Sequence, residues 1–283
     1  MVKFGPSGND ELFYAEGYTT SVDAPQWLKN KGLDLYEYSF GRGITISEEK
    51  AKEIGEKAKE YGIQISVHAP YFINFANSAP EARQKNIQYV LNSLKYLRLF
   101  GGHKLVIHPG SQLKMTREEA MKNILDGVEE LVERVYLEGY SDMFLCFETM
   151  GKSMQMGSVA EIIEICKIDK ILMPTVDFGH VNAVTQGTLK TEDDFRKIID
   201  SIKNELGEFK VNNFHIHFSK IEYTDKGEKV HLTLEDQIYG PNFEPLAKII
   251  KEYGLSPTII SESKNIMAQD ALKLKQIYDN TEV

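Results

Sequence analysis

Cysteine is nearly missing from this 283-residue chain. The two present, Cys146 and Cys166, are too few for a disulfide framework or a thiolate zinc site, and a reducing compartment is the simple reading. Positive charge is in deficit as well. The net charge of −9 excludes a uniformly basic nucleic-acid binder, yet it allows a local basic rim or bound cations that offset acidic ligands. No apolar run reaches the roughly 18 residues needed to span a bilayer. The opening "MVKFGPSGND" lacks the charged-then-apolar pattern of a signal peptide. A cytoplasmic protein with no membrane partner is expected. Linkers, repeats and low-complexity tracts are missing too, so residues 1–283 are expected to form a single domain.

What is present is ordinary for a globular protein: 42% hydrophobic and 27% charged residues. Eight short apolar runs stand at 2–5, 33–41, 63–70, 104–110, 143–150, 171–180, 212–220 and 257–263. Longer amphipathic segments separate most of them. One begins at an N-cap serine, Ser47, and stops at Gly62. Another covers about 80–100, and a third starts at Thr116 with Glu119 in the capping-box position. Further helices are expected from Ser158, from near Thr191, and over about 243–253 and 268–280. Alternation of this kind implies a parallel sheet, and eight units in about 280 residues suit an α/β (β/α)8 TIM barrel. A doubly wound open sheet is the runner-up. The stretch 220–242 is the longest connection without clear periodicity, the kind of loop that is usually functional or disordered.

Histidine is scarce, at seven residues, but its placement is not scattered. His68 ends the third run and His108 the fourth. Glu148 ends the fifth. Asp177 lies near the end of the sixth, with His180 three residues on. His215 and His217 lie in the seventh, and Glu262 near the end of the eighth. In a barrel, these strand ends form the active-site rim. A lone buried histidine is more often a hydrogen-bonded core residue, and a strand-end carboxylate commonly caps the next helix. Ligand-type residues on every strand from three to eight point instead to metal. Imidazole and carboxylate without thiolate suit Zn, Mn or Fe(II), with Zn favoured where histidine dominates. The donors exceed one tetrahedral site, so more than one ion is expected, and Glu148 is placed to bridge two ions about 4 Å apart. His217, nearer the rim, is the expected ligand, and His215 lies two residues deeper on the same face. His103 precedes the fourth run and belongs to the opposite end.

The motifs "VHAPYFINFAN", "IHPGSQL", "CFETMG", "TVDFGHVNA", "IHFSK" and "ISES" together resemble the endonuclease IV family of apurinic/apyrimidinic (AP) endonucleases, within the xylose isomerase-like TIM barrels. The resemblance runs from Lys3 to about Asn280. It implies a monomer that acts in base excision repair on duplex DNA with abasic sites. The phosphodiester 5′ to the lesion would be hydrolysed by a zinc-activated hydroxide. It also implies three zinc ions: one on His68, His108 and Glu148; one on Glu148, Asp177, His217 and Glu262; and one on His180, His231 and an aspartate two residues before His231. Glu262 and Glu148 would be the catalytic carboxylates, Glu262 orienting or deprotonating the nucleophile. Tyr71 and Arg42 would contact DNA, with Lys152, Lys220 and Lys264 placed to meet phosphates. The chain departs from the family at Lys229, which stands where the aspartate is expected, so two or three ions are implied. Glu228, Glu222 and Asp225 are the nearby carboxylates. The N-terminal loop "FGPSGND" also lacks the family's histidine.

A sugar isomerase or epimerase on the same barrel is the alternative. Glu148, Asp177, His217 and Glu262 would suffice there for one Mn or Mg ion. His68, His108 and His180 have no necessary role in such an enzyme.

Overall fold

The eight apolar runs fold as strands: β1 (Lys3–Pro6), β2 (Leu35–Ser39), β3 (Gln64–His68), β4 (Lys104–Ile107), β5 (Phe144–Glu148), β6 (Leu172–Asp177), β7 (His215–Phe218) and β8 (Thr258–Ser261). A computed structural model describes residues 1–283. The strands form one parallel sheet in the order β1–β8–β7–β6–β5–β4–β3–β2. A parallel bridge between Ser7 and Glu37 and a 3.0 Å bond from the Asp34 N–H to the Phe4 carbonyl join the two ends. Gly5 makes this seam possible, because a Cβ there would lie 1.8 Å from the Leu35 carbonyl oxygen. The ring is a (β/α)8 TIM barrel, and the open-sheet alternative falls away.

Helices cover the outer face of the barrel, so the strands are buried on both sides and read as near-continuous apolar runs. The predicted caps set several helix limits. Ser47 accepts from the Lys50 N–H ahead of Glu48–Tyr61, and Gly62 ends that helix in the left-handed region. Thr116 and Glu119 form both bonds of a capping box, as do Ser158 and Glu161.

Three segments differ from the sequence expectation. Two helices, Glu11–Ala15 and Ala24–Lys31, lie between β1 and β2. The sixth run stops at Asp177, whose side chain caps a short helix, Phe178–Val184. The stretch 220–242 contains an antiparallel hairpin, Lys220–Thr224 with Gly227–Leu232. Its alternation is obscured by a register shift beside Tyr223.

Side chains alternate across each strand, so one parity of residues faces the barrel interior. That parity carries Glu37, Ser66, His68, Lys104, Val106, Cys146, Glu148, Met173, Asp177, His215, His217 and Thr258. Val106, Cys146 and Met173 form a buried cluster separate from the main core. Burial pushes the Cys146 thiol up to about 12, which fits packing rather than ligation.

Candidate metal centre

The C-terminal rim brings three groups of imidazoles and carboxylates together, and a fourth, Glu37, His215 and His217, is buried beneath them; within each group the potential ligand atoms lie within 4.8 Å of one another. The first is His68, His108 and Glu148. Glu148 Oε2 is 3.2 Å from His68 Nε2 and 3.0 Å from His108 Nε2. The second is Glu148, Asp177, His217 and Glu262. Here His217 Nδ1 lies 2.9 Å from Glu148 Oε1 and 3.4 Å from Glu262 Oε1. Glu148 thus belongs to both groups, with one oxygen turned to each. The third group is His180, Glu228 and His231. All three open on one cavity of about 330 Å³ at the C-terminal end of the barrel.

Local structure fixes several of these side chains. Asp177 caps its helix through Oδ1, which accepts from the His180 N–H at 2.8 Å. Its other oxygen, Oδ2, is buried and accepts no aligned hydrogen bond; its one close partner is His180 Nδ1, 3.3 Å away. A buried carboxylate oxygen without an aligned donor is costly unless a cation meets it. The donor set therefore fits a metal ion on an observation independent of the ligand count.

The electrostatics point the same way. Burial opposes charge on His68, but the hydrogen bond and charge of Glu148 outweigh it and raise the imidazole to about 9. His180 also reaches about 9, because Asp177, Glu148, Glu228 and Glu262 overcome its burial. Burial raises Asp177 to about 6. Glu262 is held at about 2, its burial overcome mainly by His217. Glu148 lies well below the usual carboxylate range, because His217, His108 and His68 overcome its burial. His68 and His180 therefore hold protons that ligation of an ion would displace.

The hairpin answers the departure at Lys229. Tyr223 pairs with Glu228 and Glu222 pairs with Val230, so Lys229 is the extra residue of a β-bulge. Across the ladder His231 faces Ile221 and Glu228 faces Tyr223, two residues apart on one strand. The bulge therefore puts Glu228 and His231 on one face, although they are three apart in sequence. Glu228 Oε2 is 3.5 Å from His180 Nε2, and Oε1 is 3.7 Å from His231 Nε2. Lys229 turns outward, with Nζ 2.6 Å from Glu222 Oε1. Its ammonium does not enter the third group.

A family model described as xylose isomerase-like TIM barrel matches residues 25–277. The chain belongs to that family. An uncharacterized protein of Methanocaldococcus jannaschii is 32% identical over 282 residues, 99% of this chain and 97% of its own length. A probable endonuclease 4 of Staphylococcus carnosus is 28% identical over 230 residues, 75% of this chain and 74% of its own. Among solved structures, endonuclease IV from Thermus thermophilus has a TM-score of 0.65 at 16% identity, covering 92% of this chain and 93% of its own. A D-tagatose 3-epimerase-like protein has a TM-score of 0.67 at 23% identity, covering 87% of each chain. At such identities the structural likeness carries the fold alone.

On this xylose isomerase-like barrel, the remaining expected residues separate into two sets. Tyr71 is half exposed and lines the cavity, as does Lys152. Arg42 is exposed on the turn after β2, next to Gly41, which lines the cavity. Lys264 stands on an adjoining cleft with Glu228 and His231. Lys220 does not serve a phosphate: it is buried, and its ammonium donates to the Asp236 carbonyl at 2.5 Å. His103 is exposed ahead of β4, away from the centre. His215 is fully buried beneath it.

Sequence reasoning missed Glu37. It is fully buried on β2, with Oε2 2.9 Å from His215 Nε2 and Oε1 2.9 Å from His217 Nε2. One signal was available: strands of a parallel barrel are covered on both faces, so a carboxylate in the middle of "LYEYS" has nowhere to be solvated. No helix is long and apolar enough to cross a membrane.

Proposed function

We propose that the chain is a metal-dependent AP endonuclease that hydrolyses the phosphodiester 5′ to an abasic site in duplex DNA, leaving a 3′-hydroxyl and a 5′-deoxyribose phosphate. The observation that carries this reading is the third group. His180, Glu228 and His231 open on the same cavity as the two groups that share Glu148. Proton transfer on a small sugar at one ion needs neither that group nor His68 and His108.

The donor sets, rich in imidazole, suit zinc, with manganese as a second candidate. Bound ions would lower the pKa of water toward neutrality and offset phosphate charge, the chemistry of multi-metal hydrolytic centres. The chain's own residues do the rest. Glu148 spans the first two groups and holds their relative position. Glu262 is partly open to the cavity and stays ionised, so it accepts a hydrogen bond from water and orients it toward phosphorus. Lys152 offers an ammonium to the phosphate from the cavity wall. Tyr71 offers a ring against which an opened lesion can stack.

One observation favours the isomerase alternative: Glu148, Asp177, His217 and Glu262 form a complete single-ion set by themselves. Counting bound ions separates the readings. Two or three zinc ions per chain, with no turnover of ketoses, support the nuclease. One manganese ion with ketose epimerisation would remove it.

A further inference from the structure

We propose that Glu37 is a positioning residue for the metal centre: its carboxylate, reaching across the barrel from β2, fixes the His217 ring so that Nδ1 faces Glu148, Asp177 and Glu262. The inference rests on the metal reading of the site and not on the identity of the substrate.

Glu37 does not line the cavity and touches no candidate ligand except His217. Its carboxylate is shut off from solvent, and its two oxygens are held differently: Oε2 accepts aligned hydrogen bonds, whereas Oε1 has only a close contact. Ser66, its register partner on β3, donates its hydroxyl to Oε2 at 2.8 Å. His215 Nε2 meets the same oxygen at 2.9 Å, and His215 Nδ1 lies 2.6 Å from Thr258 Oγ1. His217 Nε2 lies 2.9 Å from the other oxygen, an ion-pair contact that is close but not aligned as a hydrogen bond. An ionised carboxylate only accepts, so each facing group must donate. In His217, Nδ1 faces a carboxylate too, 2.9 Å from Glu148 Oε1, and donates to it until an ion in the second group takes its lone pair; Nε2 then keeps its proton beside Glu37, which decides the tautomer of the ligated ring.

A glutamine at position 37 has the same shape but the opposite logic. Its NH2 group would face at least one donor among Ser66, His215 and His217, and relief would come from turning a ring or reversing its tautomer. Metal-binding imidazoles characteristically donate their other N–H to a carboxylate, and removing that partner lowers metal affinity about 10–100-fold.

Zinc is the probe. Titration against a chromophoric chelator should show one ion weakened about 10–100-fold in Glu37→Gln. The ion held by His68, His108 and Glu148 should bind as in the wild type. The 15N–1H spectrum of zinc-loaded wild type should show His217 as the Nε2–H tautomer, with that proton shifted downfield by the carboxylate and the shift lost in the variant. A merely structural glutamate would lower the melting temperature without these two changes. Equal zinc affinities in a folded Glu37→Gln protein overturn the inference alone. A wild-type protein that binds no zinc overturns it together with the proposed function. Should the variant fail to fold, the wild-type spectrum decides: an Nδ1–H tautomer of His217 overturns the inference, and the Nε2–H tautomer supports it.

Discussion

The backbone N–H of Glu228 donates to the carbonyl of Gly151 at 2.7 Å, and this bond fastens the hairpin to the chain just beyond β5. It sets the third group beside the first two. Gly151 must lack a side chain for the approach to occur, since a Cβ would lie 2.7 Å from His180 Cδ2 and 2.8 Å from Glu228 Cβ. Gly151→Ala should therefore keep the fold and the ions of the first two groups while weakening the third by about tenfold, the effect of about 1–3 kcal/mol of overpacking. Stoichiometric zinc titration reads this directly, and an unchanged third ion would show that the hairpin yields freely.

The bulge makes a second prediction about sequence spacing. Deleting Lys229 leaves glutamate and histidine two apart, which is regular alternation, so both should still face His180. The deletion should keep the full ion count. Glu228→Ala should lose the third ion, whereas Lys229→Ala removes only an exposed ion pair and should leave the ion in place. Loss of the ion on deletion, with Glu228→Ala silent, would mean that Glu228 is not the third carboxylate.

Metal uptake should release protons. His68 and His180 both stand at about 9 without an ion, so both are charged at pH 7, and ligation needs their lone pairs. Apparent zinc affinity should rise with pH until about 9 and then level off. Folding of the metal-free protein has the opposite trend. Stabilisation from an imidazole raised from 6.5 to about 9 is full below pH 6.5 and is lost as pH climbs through 9. Calorimetry in buffers of different ionisation enthalpy measures the first effect, and melting with and without zinc measures the second. Uptake without proton release at pH 7 would contradict the electrostatics.

Substrate contacts should separate from metal binding. Tyr71→Ala should weaken binding to an abasic duplex by about 1–3 kcal/mol, the usual worth of a base–aromatic stack, with ion content unchanged. Arg42→Ala should weaken it across sequences and reduce the salt slope by about one. Titrations at two salt concentrations test both. Equal binding by the Tyr71 variant would place the lesion elsewhere on the rim.

The barrel was legible because its signals are local: apolar runs, Ser47 and Thr116 caps, and ligand-type residues at strand ends. The strand ends His68, His108, Glu148, Asp177 and His217 could be read from periodicity because barrel strands converge on one rim. Two features could not. Glu37 acts across the barrel, and its partners on β7 are far away in sequence, so only the closed ring brings them together. Glu228 stood in the sequence beside Glu222 and Asp225 as one of three nearby carboxylates, and the choice among them was hidden by the bulge at Lys229, which breaks the period of two. Lys220 was misread for a related reason: a lysine after a strand looks solvated until the hairpin and the Asp236 carbonyl close over it. The short helix after Asp177 has too few residues to show a period.

The most direct measurement is incision of a duplex carrying one abasic site, by purified protein, before and after chelation and after zinc is restored. A metal-dependent AP endonuclease should make a single cut 5′ to the lesion with a 3′-hydroxyl end, lost on chelation and regained with zinc. No cut by protein holding its full complement of ions would contradict the proposed function.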